Sequence, residues 1–286
     1  MTKIKGTNVL ITGGGSGIGK MLGAKCLREG AANLIIWDIN EDNLKSTKKE
    51  FRAKGYDNVH TFLVDVSDVD DVERAGTEVL LEIGNVDILF NNAGIVVGKM
   101  FWEHSAREIE RTMDINVNGV MHVTRVFIKD MIKQKKGHII NIASAAGIIS
   151  NKKMSVYVAS KWAVKGWSDS LRMELEDQEG DLHVTTVCPS YINTGMFNGV
   201  KAPLLFPLLE PEDITDQIMN AVKKNELFVL APDLLKIIPF LKGLLPVRWF
   251  DAVADILGVY ASMTEFKGRD KKVAVPEKKS QEKASS

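Results

Sequence analysis

Short β-branched segments alternate with helical ones from residue 7 to about 230, and that rhythm predicts an α/β fold, a doubly wound parallel sheet of about seven strands covered on both faces. Two further observations support it. Several of the strand segments are apolar at nearly every position, as strands buried on both faces are. The first of them, Asn8-Val9-Leu10-Ile11, runs directly into a glycine-rich turn and then a helical pattern. No internal repeat period is present.

Taken in order, Thr7–Thr12 reads as a strand, and a helix opens near Gly17. Asn33–Asp38 is the second strand, followed by a polar helix over Glu41–Lys54. Val59–Val64, Val86–Phe90, Gly137–Ala143, Leu182–Cys188 and Leu227–Leu230 continue the strands. Val69–Ile83, Ser155–Glu176 and Glu212–Lys223 continue the helices, and residues 105–134 form a long helical region. Two stretches break the pattern. Residues 195–211 are rich in Pro, Leu and Phe. Residues 232–260 form an apolar extension in which Pro239 and Pro246 forbid one continuous helix. A single domain over residues 1–265 is expected, with a disordered basic tail at 267–286.

Composition excludes several functions. Lys+Arg and Asp+Glu both number 37, so no net field exists to hold nucleic acid. Cys26 and Cys188 lie far apart in apolar contexts and read as reduced thiols of a cell interior. The five histidines show no metal-ligand spacing, and no metal is expected. Met1–Gly6 leads straight into the first strand without a signal peptide or anchor, and no apolar stretch approaches the ~20 residues that cross a bilayer. A cytoplasmic protein is expected, attached at most to a membrane surface.

The turn Thr12-Gly13-Gly14-Gly15-Ser16-Gly17-Ile18-Gly19 has the composition of a dinucleotide bed. Gly13, Gly17 and Gly19 let the backbone turn tightly and approach a phosphate, with Ser16 and Ile18 beside it. The helix N-terminus adds unpaired N–H groups and a partial positive charge. Asp38, at the end of the second strand, can accept the ribose hydroxyls of an unphosphorylated adenosine and would repel a 2′-phosphate. No Arg follows it, so NAD is expected rather than NADP; a helix cap is the alternative role for Asp38. Asp65-Val66 ends the third strand, where a carboxylate can receive the adenine amino group. Asn91-Asn92-Ala93-Gly94 ends the fourth, with Asn91 read as a turn residue. Ligands of open parallel sheets bind at this carboxyl edge.

Tyr157 and Lys161, four apart on a helix, share one face. A free phenol is a poor base at neutral pH, and a nearby ammonium favours the phenolate. So poised, Tyr157 can take a proton from an alcohol or give one to a carbonyl. A partly buried Tyr beside a solvated Lys is the alternative. Ser144, just past the fifth strand, can orient the substrate oxygen or simply cap a turn. Asn116 is a poor residue within a helix, which suggests a polar task such as holding a proton-relaying water.

Together TGGGSGIG, NNAG, Asn116, Ser144 and Tyr157-x-x-x-Lys161 resemble the short-chain dehydrogenase/reductase family over residues 5–230. The resemblance implies a Rossmann-type domain, a nicotinamide cofactor, a homo-oligomer, and a catalytic tetrad of Asn116, Ser144, Tyr157 and Lys161. It also implies that Lys161 holds the nicotinamide ribose and that Thr194 meets the carboxamide, with Pro189 and Ile192 nearby. Pro189-Ser190 stands where the family usually has Pro-Gly. Ile192–Phe197, Pro203–Leu209 and Glu210–Glu212 are similar to the membrane-associated branch of retinol and 17β-hydroxysteroid dehydrogenases and their 16C-like, lipid-droplet relatives. Members of that branch typically begin with a hydrophobic anchor, which this chain lacks.

The expected function is therefore an NAD(P)-dependent oxidoreductase that interconverts an alcohol and a carbonyl on a lipophilic substrate: a steroid, a retinoid or a long-chain alcohol. Ser144, Tyr157, Met196 and Phe197 are expected against that substrate. A non-catalytic nucleotide-binding or lipid-surface scaffold is the alternative. Residues 232–260 read as a lid, a subunit contact or an interfacial patch, the last placing the protein on endoplasmic reticulum or lipid droplets.

Overall fold

The computed structural model describes residues 1–268, so the expected disordered tail lies, from residue 269 on, outside the described residues. The strands are β1 (Asn8–Thr12), β2 (Asn33–Asp38), β3 (Val59–Leu63), β4 (Ile88–Asn91), β5 (Lys136–Ile142), β6 (Asp181–Pro189) and β7 (Phe228–Ala231). The helices are α1 (Gly17–Arg28), α2 (Glu41–Ala53), α3 (Val69–Glu82), α4 (Ala106–Met113), α5 (Gly119–Lys133), α6 (Ser155–Glu176), α7 (Pro211–Lys224), α8 (Ile238–Leu244) and α9 (Val247–Ile256). All strands are parallel, in the order β3-β2-β1-β4-β5-β6-β7. This is the Rossmann-type sheet that the sequence predicts. The chain winds outward from β1 to β3, then returns so that β4 lies against the other side of β1. That reversal opens a crevice at the carboxyl ends of β1 and β4.

Alternating side chains explain why the strands are apolar throughout. Val9 and Ile11 of β1 point to one face, where they pack with Leu22 of α1, Phe51 of α2 and Ile218 of α7. Leu10 points to the other, with Val72 of α3, Phe127 of α5 and Leu171 of α6. A third apolar cluster joins Ala143, Ala145 and Phe206 to Leu235, Phe250 and Val259 of the C-terminal extension.

Two local departures matter. The region 105–134 is not one helix. A π-helical turn, Asp114–Asn118, separates α4 from α5 and carries Asn116. Such turns concentrate at functional positions because they re-aim a side chain without ending the helix. In the extension, Pro239 sits in the first turn of α8, and Pro246 precedes α9. Among the described residues, no helix is long and apolar enough to cross a membrane.

Candidate active site

The glycine turn closes against the end of β4. Gly13 has φ +63°, and a Cβ there would stand 3.0 Å from Ala93 Cα. A Cβ on Gly19 would lie 2.5 Å from Gly13 O and from Asn92 Nδ2. Asn92 fastens the two loops, its Nδ2 donating to Thr12 O at 2.9 Å and Gly13 O at 3.1 Å. The first turn of α1 carries no acidic residue, and Ser16 makes no side-chain cap bond. By contrast, Asn40 caps α2 and Asp68 caps α3, and both helices have acids in the first turn. The α1 N-terminus is thus left uncapped by side chains, with backbone donors suited to an anion.

Asp38 is only 9% exposed. Its Oδ2 accepts from Gly15 N at 3.0 Å and its Oδ1 from Asn40 N at 2.9 Å. The cap of α2 is Asn40, whose side chain accepts from Asn43 N at 2.8 Å. Asp38 itself faces the crevice. At the end of β3, Asp65 Oδ1 accepts from Ser67 N and Ser67 Oγ. Asn91 is not a turn residue: buried in β4, its Nδ2 donates to Thr124 Oγ1 at 2.9 Å and Asn141 Oδ1 at 2.8 Å, joining the sheet to α5.

The crevice encloses about 420 Å³. Gly13, Ser16, Gly17 and Ile18 line its floor; Asp38, Asp65 and Val66 line one end. Asn92, Ala93 and Gly94 line the middle, and Ser144, Tyr157 and Lys161 the other end. Pro189, Ile192, Thr194, Met196 and Phe197 form the closing wall. Gly19 and Asn116 lie behind this lining.

Tyr157 and Lys161 stack on successive turns of α6, each 5% exposed. Lys161 Nζ is 5.7 Å from the Tyr157 ring centroid and donates to Ile142 O at 2.9 Å. Burial pushes the Lys161 ammonium down to about 8. Burial also pushes the Tyr157 phenol up to about 12, although a hydrogen bond with the Ser144 side chain works in the opposite direction. The sequence suggests a phenol lowered by its lysine; in the structure burial is the largest influence and raises the phenol instead. Ser144 Oγ accepts from Ala146 N at 3.1 Å, so it caps the turn Ala145–Gly147 and lines the crevice at once.

Asn116 is fully buried. Its Oδ1 accepts from Ile95 N at 2.8 Å, and its Nδ2 donates to Ile95 O at 2.9 Å and Ser160 Oγ at 3.0 Å. Both amide protons are therefore engaged by protein. The side chain locks the loop after β4 to α6, rather than holding a relay water by its N–H groups.

A second, mostly apolar cavity adjoins this end. Ser144, Ala146, Met154, Phe197, Phe206 and Leu235 are among its walls. Ser144 and Phe197 line both spaces. Phe197 stands edge-on to Tyr157, with ring centroids 6.4 Å apart.

The family model described as short chain dehydrogenase matches residues 7–204. The chain belongs to the short-chain dehydrogenases. It is 37% identical to epidermal retinol dehydrogenase 2 of Mus musculus, over 94% of this chain and 88% of that protein. It is 34% identical to estradiol 17-beta-dehydrogenase 11 of Pongo abelii, over 86% of this chain and 81% of that one. Among solved structures, a short-chain dehydrogenase/reductase from Burkholderia phymatum in complex with NAD aligns with a TM-score of 0.76 at 29% identity, covering 83% of this chain and 93% of that one. A metagenomic short-chain oxidoreductase in complex with NADP aligns with a TM-score of 0.68 at 28% identity, covering 80% and 98%. The protein is thus an NAD(P)-dependent oxidoreductase of this family, related to retinol and steroid dehydrogenases.

Against this short-chain dehydrogenase scaffold, the sequence reading missed Trp37, Asn43, Ile95, Arg111, Ile115 and Ile142 as crevice residues. Arg111 and Ile115 are four apart and share a helical face with the turn that carries Asn116, a signal periodicity alone could have raised. Arg111 and Lys161 are the cations of the lining.

One prediction follows from Lys161. Its folded value of about 8 lies below its ordinary 10.5. Between these pH values the unfolded chain holds the extra proton, so this group makes the fold more stable as pH rises through that window. Urea midpoints of wild type relative to Lys161→Met should therefore shift in favour of wild type from pH 8 to 10.5. A flat difference would contradict the burial of a charged Lys161.

Proposed function

We propose that this short-chain dehydrogenase oxidises lipophilic alcohols or reduces the matching carbonyls with NAD, through Asn116, Ser144, Tyr157 and Lys161. The supporting observation is that the Ser144 hydroxyl stands at the junction of two spaces, a polar crevice shaped for a dinucleotide and an apolar cavity. A substrate oxygen at that junction can meet Ser144 while its carbon skeleton lies against Met196, Phe197 and Phe206.

The residues fit a nicotinamide dinucleotide. The glycine turn packs so tightly on Asn92 and Ala93 that a Cβ on Gly13 or Gly19 would clash, and the α1 N-terminus has no competing acid. Asp38 is held to accept ribose hydroxyls and to disfavour a 2′-phosphate. Asp65, Val66, Ala93, Gly94, Pro189, Ile192 and Thr194 would complete the cofactor's surroundings, with Arg111 supplying positive charge for its phosphates. The bound nicotinamide supplies or accepts the hydride. Ser144 donates a hydrogen bond that fixes the substrate oxygen. Tyr157 gives its phenolic proton to that oxygen in reduction and removes it in oxidation. Lys161, charged and buried, favours the phenolate and can hold the nicotinamide ribose. Asn116 fixes the loop and α6 around them. A phenol with a high proton affinity is suited to the donor role, so reduction should persist well into alkaline pH while oxidation gains as pH rises.

Absorbance of reduced nicotinamide tests the assignment. Purified protein with NAD should turn over retinol, a hydroxysteroid or a long-chain primary alcohol. Activity confined to small polar alcohols would reject the substrate class, and no turnover at all would favour a nucleotide-binding scaffold.

The extension suggests where such a substrate comes from. Phe240, Leu244, Val247, Trp249 and Ile256 are 65–83% exposed, while Leu235 and Val259 of the same extension line the apolar cavity. Lys242 does not serve this face; it docks inward, donating to Ile148 O at 3.0 Å. We read α8 and α9 as a peripheral contact with endoplasmic reticulum or lipid droplets, on a cytoplasmic homo-oligomer. Wild type should co-sediment with phosphatidylcholine vesicles and the double variant Val247→Glu, Trp249→Glu should not. Equal sedimentation of the two would reject this surface.

A further inference from the structure

Beyond α9, residues 258–267 fasten three loops at the carboxyl edge of the sheet. To the loop after β6 the bonds run through the backbone: Lys201 N donates to Ser262 O at 3.0 Å, and Lys267 N to Asn198 O at 2.9 Å. In the loop before α6, Asn151 Nδ2 donates to Ser262 Oγ at 2.7 Å and Lys153 Nζ to Thr264 O at 3.2 Å. Against the loop after β4 the contact is steric. A Cβ on Gly98 would lie 2.4 Å from Phe266 Cδ1 and 2.8 Å from Met263 Cε, so these side chains fill the space that any other residue at 98 would need. Gly199, at φ +83°, is fitted in the same way: its Cβ would stand 2.2 Å from Glu265 O. Two glycines on separate loops, each cleared for the same segment, mark a built strap.

Inward, the strap joins the packing around the catalytic end. Met263 is 1% exposed and shares one apolar cluster with Ala146, Met154 and Tyr157, against which Phe197 and Phe266 pack. Phe197 in turn stands edge-on to Tyr157. The polar groups that bear on the phenol come from elsewhere: Ser144 after β5, the Cys188 thiol and Tyr191 at the end of β6, and Lys161 on α6 itself. Glu265, the one carboxylate of the strap, is exposed and paired with Lys201 at 2.5 Å. What the strap contributes is apolar bulk.

We propose that Met263 and Phe266 are positioning residues: the strap they form holds the loop of Phe197 against Tyr157 and keeps water off the phenol that handles the proton. The inference rests on the proposed alcohol–carbonyl chemistry of Tyr157. It adds residues that lie beyond the family match, which ends at residue 204. The burial that pushes the phenol up to about 12 is then a property of the strap as well as of the tetrad.

The test uses Phe266→Ala and Gly98→Ala, singly and together, in the full chain. Each alone should lower kcat/KM for a long-chain alcohol by about tenfold to a hundredfold, the scale of a displaced reacting group, with NAD affinity unchanged. Together they should cost little more than one alone, because the new Cβ enters the space the ring has left. Phenolate absorbance supplies a readout that a loss of packing by itself would not move. Between about pH 8 and 11, wild type and Tyr157→Phe should differ by no phenolate. Phe266→Ala should show one more phenolate than Phe266→Ala/Tyr157→Phe, titrating near the ordinary 10. Should one single variant not fold, the other carries both readouts; failure of both to fold would make the segment a structural element and overturn the assignment. Lowered rates with an unchanged Tyr157 titration, or wild-type behaviour throughout, also overturn it. Wild type that turns over no alcohol overturns the underlying activity instead, and the titration, which needs no substrate, tells the two failures apart.

Discussion

Tyr157→Phe is expected to lower kcat by on the order of 10²- to 10⁴-fold, the usual worth of a positioned acid or base, while leaving nucleotide affinity unchanged. The residue is 5% exposed and packs against Phe197, so removing the hydroxyl takes away the proposed proton carrier without emptying the site. Affinity can be read by titration calorimetry with NAD. The split between lost turnover and retained binding separates a catalytic phenol from a structural one. A structural Tyr157 would move both together or neither. The pH profile adds a second criterion. Because burial pushes the phenol up to about 12, the rate of reduction in wild type should not fall through neutral and mildly alkaline pH.

Asp38→Asn should relax the choice between NAD and NADP by on the order of tenfold to a hundredfold in relative kcat/KM, the scale of a removed charge repulsion. Asn keeps an oxygen for Gly15 N or Asn40 N, which Asp38 now serves at 3.0 and 2.9 Å. What it loses is the charge we propose to repel a 2′-phosphate. The gain should come mostly from NADP improving. Steady-state kinetics with both nucleotides measure it, and an unchanged ratio would mean that Asp38 only braces the glycine turn. Arg111, elsewhere on the same lining, is the residue to combine with it, since it supplies a cation that would favour either nucleotide's phosphates.

Much of this was legible from sequence because the features are local. A glycine spacing after an apolar strand encodes a tight turn, and Gly13 at φ +63° against Ala93 is the kind of contact that spacing implies. Four-residue separation places Tyr157 and Lys161 on one face of α6 whatever the rest of the chain does.

What was not legible depends on tertiary context. The π-helical turn at Asp114–Asn118 is a local insertion in a periodic helix, and an unlikely residue such as Asn116 hints at it without specifying it. Asn91 carries the composition of a turn, yet lies in β4 because Thr124 and Asn141 satisfy it there. The sign of the change at Tyr157 needed burial to be known, since desolvation outweighs the hydrogen bond from Ser144 that acts against it. The apolar cavity draws its walls from residues as far apart as Ser144 and Val259. No short motif records such a convergence.

The most direct measurement uses a long-chain alcohol deuterated at its carbinol carbon, with the reduced nucleotide analysed by mass spectrometry. Wild type should deliver the deuterium to NAD, and Tyr157→Phe should deliver almost none while still binding NAD. Label appearing at the same rate in both proteins, or in neither, would contradict proton handling by Tyr157 at this site.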